Sequence, residues 1–261
     1  MTGAIDAPPS SRASGELWRV LRAHARPPAR PCAYCGNGYP IAPVCLASCV
    51  LPIPPDACPR CAQRRVGGVC RGLGCRRGWC PVGRTDAVLG YKHGDVERLV
   101  LAAKRVEPWA ITALGRALAG WLLETAARRR YDVAVPVPFH HAGLAGRPAH
   151  PLAALYLDAR PAVWPRVRLD DLAPPLLAQI CPRPGRRAQS EWTRWQSIRG
   201  TVALAFPTRL LRGARVLLVD DVLTSGATVG ECARVMLEDG GAAAVDAVVL
   251  ARQPWRRSGT A

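Results

Sequence analysis

Residues Val216–Thr228 read VLLVDDVLTSGAT. Val216 to Val219 form an apolar run with no polar break, the pattern of a strand buried on both faces. That strand delivers Asp220 and Asp221 at its carboxyl end, where open α/β sheets bind their ligands. Thr224, Ser225, Gly226, Ala227 and Thr228 then turn into a helix. The first N–H groups of a helix have no intrahelical acceptor and sit at the positive end of its dipole. A phosphate satisfies both. Gly226 permits close approach of backbone to ligand, and the hydroxyls of Thr224, Ser225 and Thr228 add donors. Adjacent carboxylates repel one another unless hydroxyl donors or a cation relieve them. A ribose 2′,3′-diol with Mg²⁺ nearby supplies both. An isolated Thr-Ser-Gly is an ordinary strand-to-helix turn, and it is the whole run that points to a phosphate loop.

Outward from this run the pattern is α/β. A strand is predicted over 215–219, a helix over 226–238 and a strand over 245–251, with Gly240 and Gly241 as the helix stop. This β-loop-α-β order implies a parallel sheet with a right-handed crossover. Further upstream, 131–137 (YDVAVPV) reads as a buried strand. Asp95 to Arg105 has helical spacing at Val96, Leu99, Val100 and Ala103. Pro108 opens a longer helix through Arg129, Asp86 to Tyr91 is a short strand, and Thr201 to Ala205 is another. A helix is expected up to Ala159, beginning at Pro148 or Pro151. Glu16 to Ala25 forms a short helix stopped by Pro27 and Pro28. The stretch from Pro161 to Arg199, with its prolines, arginines and tryptophans, gives no clear reading.

The chain has 261 residues and a formal net charge of +17. Of its 36 basic residues only Lys92 and Lys104 are lysines. A GC-rich genome accounts for that ratio. The charge itself favours polyanions, because neutralising phosphates releases counterions. No apolar run approaches the length of a membrane span. The polar start, residues 1–15, reads as a disordered tail with no secretory signal, and a cytoplasmic protein is expected.

Nine of the eleven cysteines lie between Cys32 and Cys80. The pairs are Cys32-x-x-Cys35, Cys45-x3-Cys49 and Cys58-x-x-Cys61, followed by Cys70, Cys75 and Cys80 at four-residue gaps. Cys-x-x-Cys offers two thiolates on one tight turn, suited to two corners of a tetrahedral Zn²⁺. Eight ligands fill two sites and leave one cysteine spare. The fourth pair is set as Cys75 with Cys80, with Cys70 as the rival. This segment has too few apolar residues to bury a core and needs a metal staple. Cys232 falls in the helix after the phosphate loop and reads as core.

The Val216–Thr228 run closely resembles the PRPP-binding motif of type I phosphoribosyltransferases, where PRPP is 5-phosphoribosyl 1-diphosphate. The resemblance implies that Asp220 and Asp221 hold the ribose hydroxyls and that Thr224 to Thr228 hold the 5-phosphate. Members acting on 6-oxopurines carry a carboxylate where this chain has Thr224, so that base chemistry is disfavoured. A cysteine ribbon followed by this motif resembles the ComF family of competence-associated phosphoribosyltransferase-like proteins. The likeness runs from Cys32 to Arg252 and includes AVLGYKHGDVERLVLAAKR, VAVPVPFH, Arg199-Gly200 and the closing VVLAR. It implies a type I phosphoribosyltransferase-like α/β fold, a twisted and mostly parallel sheet with helices on both faces, preceded by a small zinc-ribbon domain. The expected boundaries are a short helix plus double ribbon over 16–84, the α/β domain over 85–255 and a tail over 256–261.

The resemblance also marks Lys104 as a ligand-binding lysine and Arg147 as the surviving charge of the pyrophosphate loop. That loop here reads HHAGLAGRPAHP, poorer in basic residues than the family pattern, and Ser197 stands where an asparagine is typical. Phosphate-loop function is therefore better supported than turnover. His140 and His141 read as exposed loop residues. Two functions follow. One is PRPP binding with Mg, extending to phosphoribosyl transfer onto a nitrogen base. The alternative is a non-enzymatic DNA-uptake factor that binds single-stranded DNA. Trp192 and Trp195 read first as core packing or a flap over the site, and in this alternative as base-stacking residues.

Overall fold

In the computed structural model the central strand is longer than the apolar run that announces it, because pairing continues past the aspartates. The structure describes residues 52–105, 107, 110, 114, 118, 121–122, 129–138, 168–169, 176–181 and 190–254. In chain order the elements are α1 (Leu73–Arg76), β1 (Thr85–Ala87), α2 (Gly94–Lys104), β2 (Val133–Pro136), β3 (Arg168–Leu169) and β4 (Leu177–Gln179). Then follow α3 (Glu191–Ile198), β5 (Val202–Leu204), β6 (Arg215–Leu223), α4 (Ala227–Glu238) and β7 (Ala244–Arg252). Ala110, Leu114, Leu118 and Trp121 are helical and buried, at the spacing of one face of the helix predicted after Pro108.

The main sheet has the order β1-β7-β6-β2-β3, and all its pairs are parallel. Parallel neighbours need long crossovers, and α4 supplies the one between β6 and β7. A separate antiparallel pair joins β4 to β5. Strand side chains alternate between faces, and both faces of this sheet are covered. Val133, Val135, Val216, Leu218, Val245, Ala247 and Val249 share one core with Ala233 and Met236 of α4. The residues of opposite parity, Ala134, Leu217, Val219, Val248 and Leu250, lie outside that cluster and are at most 1 % exposed.

Trp195 of α3 locks the first face. A Cβ on Gly74 would lie 2.0 Å from its ring, and one on Gly230 would lie 2.5 Å away. Both positions must be glycine for the indole to sit between the cysteine-bearing segment and α4. Cys80 and Val82 belong to the same core as the sheet, and the Thr85 N–H donates to the Pro59 carbonyl at 2.7 Å. The described part of the cysteine segment is thus built onto the α/β core. The expected N-terminal tail, the helix over 16–25 and the first two cysteine pairs lie outside the described residues.

Candidate phosphate-binding site and cysteine centre

Strand β6 carries Asp220 and Asp221 inside its hydrogen-bonded length, Asp220 in register with Val249 and Leu223 with Arg252. Both aspartates are half-buried. One oxygen of each is tied to the backbone. The Asp221 N–H donates to Asp220 Oδ1 at 2.9 Å, and the Val222 N–H donates to Asp221 Oδ1 at 2.6 Å. The other oxygen of Asp221 lies 2.9 Å from Lys104 Nζ, on the last turn of α2. Two residues singled out in the sequence on separate grounds thus meet in the fold.

After Leu223 the chain leaves the sheet and turns into α4. Gly226 is the N-cap, with φ of 80° and ψ of 1°. That left-handed conformation costs an L-residue energy and a glycine little. Ser225 Oγ accepts from the Ala227 N–H at 3.3 Å. Among the described residues nothing accepts from the N–H groups of Ser225 and Gly226. Thr224 is exposed, whereas Ser225 and Thr228 are half-buried. The turn therefore offers open donors and hydroxyls beside a pair of carboxylates.

The carbonyls of the same turn are held by Arg252, the last residue of β7, which is 3 % exposed. Its Nη1 donates to the carbonyls of Leu223 and Thr224, and its Nε donates to the Cys61 carbonyl at 2.7 Å. Burial lowers the guanidinium's pKa, opposed by the charge of Cys61. In the sequence this arginine shows only as the end of VVLAR. The available signal was a charged residue closing an otherwise apolar strand, which marks a buried partner.

The cysteine centre lies on the other side of Arg252. Cys58, Cys61, Cys70 and Cys75 place their sulfurs within 4.8 Å of one another. Cys61 and Cys70 are 3.5 Å apart and Cys58 and Cys75 are 3.9 Å apart, too far for disulfides. Tetrahedral Zn–S bonds of about 2.3 Å imply sulfur separations of roughly 3.8 Å, so the donor set fits a zinc-class cation. Hydrogen bonding from Cys75 pulls the Cys61 thiol down to about 5, against burial. Burial pushes Cys70 up to about 12. Cys75 is raised by its hydrogen bond to Cys61 and by burial. Thiols this close do not all ionise unless a cation compensates them.

This grouping differs from the expected pairing of Cys75 with Cys80. Cys70 joins the group, and Cys80 sits apart in the main core beside Val82. Burial pushes its thiol up to about 11, which suits a packed side chain. Cys232 is fully buried in α4, as expected of core. Cys32, Cys35, Cys45, Cys49 and Arg147 lie outside the described residues. Trp195 is packed in the core, while Trp192 is 43 % exposed.

Residues 186–258 match the phosphoribosyl transferase domain family. The match spans α3, β6, the turn, α4 and β7, which is every element that shapes the phosphate site except α2. Together with the parallel sheet it supports a type I phosphoribosyltransferase-like α/β class for this part of the chain. No curated protein matches the chain significantly. No helix among the described residues is long and apolar enough to cross a membrane.

Proposed function

We propose that the chain binds PRPP, or a closely similar ribose 5-phosphate ligand, at the turn between β6 and α4. The observation that carries this reading is the turn's hydrogen bonding. Arg252 occupies its carbonyls, while the N–H groups of Ser225 and Gly226, next to Asp220 and Asp221, find no acceptor among the described residues. In this reading Thr224, Ser225, Gly226, Ala227 and Thr228 wrap the 5-phosphate, and the two aspartates accept hydrogen bonds from the ribose diol. Lys104 holds Asp221 in position and adds positive charge. Carboxylate oxygens are hard donors that suit Mg²⁺, which would neutralise a departing pyrophosphate. Transfer would have a nitrogen nucleophile attack C1 as the C1–O bond to pyrophosphate breaks; the family resemblance assigns Arg147 to the pyrophosphate. The finer reading is a cytoplasmic ComF-like protein with zinc on its thiolates. Its support is one chain carrying the cysteine segment, the Lys104 helix and the phosphate turn.

Calorimetric titration of Mg-PRPP into the purified full chain tests the reading. Saturable binding, competed by ribose 5-phosphate, is expected. Absence of binding by correctly folded protein overturns it.

One observation favours a second reading, single-stranded DNA binding. The Arg77 guanidinium lies 5.5 Å from the ring centroid of the exposed Trp192, in a chain of net charge +17. An aromatic face beside a cation suits stacked bases and phosphates. Affinity for an oligonucleotide that falls with salt, and falls further in Trp192→Ala, is the expected result. Salt-independent or absent binding removes the reading.

A further inference from the structure

Arg252 is the one described side chain that hydrogen-bonds both the cysteine segment and the phosphate turn. It does so from within a buried strand end that is anchored on all sides. Its own N–H donates to the Gly90 carbonyl at 2.8 Å, and its carbonyl accepts from Lys92 at 2.7 Å. The neighbouring Gln253 returns to both partners. Its N–H donates to the Leu223 carbonyl at 2.9 Å, and its carbonyl accepts from Gln63 Nε2 at 3.1 Å. A cavity of ≈ 10 Å³ lies between the two sites, with Cys61 and Cys75 on one wall and Ser225 and Gly226 on another.

Charge explains why a guanidinium is placed there. Burying a charge is costly unless it is paired and hydrogen-bonded. Among the described residues no carboxylate lies within salt-bridge distance of Arg252. A divalent cation held by four thiolates leaves two net negative charges at the centre, next to this arginine. The rigid fork of arginine then spans the Cys61 carbonyl and the turn carbonyls at once, which a lysine ammonium cannot reproduce.

We infer that Arg252 is a positioning residue that couples the cysteine centre to the phosphate turn, so that a zinc-class cation on Cys58, Cys61, Cys70 and Cys75 presets the turn for its phosphorylated ligand. With the cation bound, Cys61 is fixed, its carbonyl anchors Nε, and Nη1 holds the Leu223 and Thr224 carbonyls. Ser225 and Gly226 then present their N–H groups without reorganisation. Without it, Cys61 loses its anchor and the turn samples other conformations. The ligand half of this coupling rests on the proposed function; the mechanical half does not.

The test uses the full chain and reads amide hydrogen exchange across residues 220–230, without ligand. Zinc-loaded wild type is compared with zinc-stripped wild type and with zinc-loaded Arg252→Lys, with metal content measured in each. The expected result is at least tenfold faster exchange at the turn in the lysine variant with its zinc retained, matching stripped wild type. Equal exchange in zinc-loaded wild type and zinc-loaded Arg252→Lys overturns the coupling. If stripping unfolds the wild type, zinc-depleted Cys70→Ser replaces it, and turn exchange as slow as in zinc-loaded wild type overturns the coupling. A second arm adds Mg-PRPP and follows zinc release to a chromogenic chelator. Coupling is reciprocal in binding free energy, so at equilibrium with the chelator the ligand lowers the fraction of zinc released several-fold in wild type and not in Arg252→Lys. Wild type that fails to bind Mg-PRPP sinks the ligand reading, and the exchange arm still decides the coupling. Ligand binding with no effect on zinc release overturns it.

Discussion

Lys104 Nζ and Asp221 Oδ2 lie 2.9 Å apart, joining the last turn of α2 to the acidic pair on the central strand. The two side chains are 44 % and 26 % exposed. An ion pair that open contributes at most about 1 kcal/mol to folding. Its effect is on the site, where it orients one carboxylate oxygen and offsets charge that a phosphorylated ligand brings.

Lys104→Gln is therefore expected to separate stability from binding. The midpoint of chemical denaturation should hardly move. Mg-PRPP affinity should fall about tenfold, the loss of one charge-assisted interaction. Parallel denaturation and calorimetry check this. A large stability loss with unchanged affinity would assign Lys104 to the fold instead.

Replacing both aspartates by asparagine should abolish or strongly weaken Mg-PRPP binding. Each carboxylate accepts from a neighbouring backbone N–H, and an amide oxygen still accepts that bond, without the charge assistance. The strand should therefore survive, as circular dichroism and thermal melting would report. The diol loses two charge-assisted acceptors, each worth about 1.5–3 kcal/mol, so affinity should drop tenfold or far more. Equal binding by wild type and the double variant would contradict the assignment of the acidic pair.

The parts of the fold that were readable in the sequence are those where one physical demand dominates. Val216 to Val219 had to be buried on both faces, and the apolar run said so. The strand's extension to Leu223 was not readable, because pairing with β7 overrides the polarity of Asp220 and Asp221. Helix α3 was missed because EWTRWQSI buries only Trp195 and Ile198, too few apolar positions for a periodic signal. Its start is nevertheless conventional, with Ser190 Oγ accepting from the Thr193 N–H. Equal four-residue gaps leave open whether Cys70 or Cys75 pairs with Cys80. In the fold Cys70 and Cys75 both join the four-sulfur group, while Cys80 packs in the core with Val82.

Gly226 supplies a backbone test of the turn. A Cβ there would meet Leu223 Cδ1 at 3.8 Å and Trp195 at 4.0 Å, ordinary contacts. The penalty for a side chain is therefore conformational, from the φ of 80°. Gly226→Ala should cost about 1 kcal/mol of stability, measured by chemical denaturation. Gly226→Asn should recover part of it, since asparagine tolerates the left-handed region better. An alanine variant as stable as wild type would show that the turn does not need this conformation.

The cysteine centre gives a test that separates ligands from neighbours by metal content. Cys70 and Cys80 are both followed or preceded by four-residue gaps, and both are shielded from solvent to some degree. Only Cys70 has its sulfur within the four-sulfur group. Removing it leaves three thiolates and an open position, which binds zinc far more weakly than a closed tetrahedral site. Cys80→Ala removes a thiol from an apolar pocket and leaves all four donors in place. Elemental analysis of the reduced, purified full chain should therefore show one zinc fewer per chain in Cys70→Ser than in wild type. Cys80→Ala should keep the wild-type zinc content and lose stability through the cavity it creates, on the order of 1 kcal/mol. Because metal binding and folding are linked in such centres, Cys70→Ser should also become indifferent to chelators at the described site. The opposite pattern, zinc lost with Cys80 and kept with Cys70, would overturn the assignment of the four ligands.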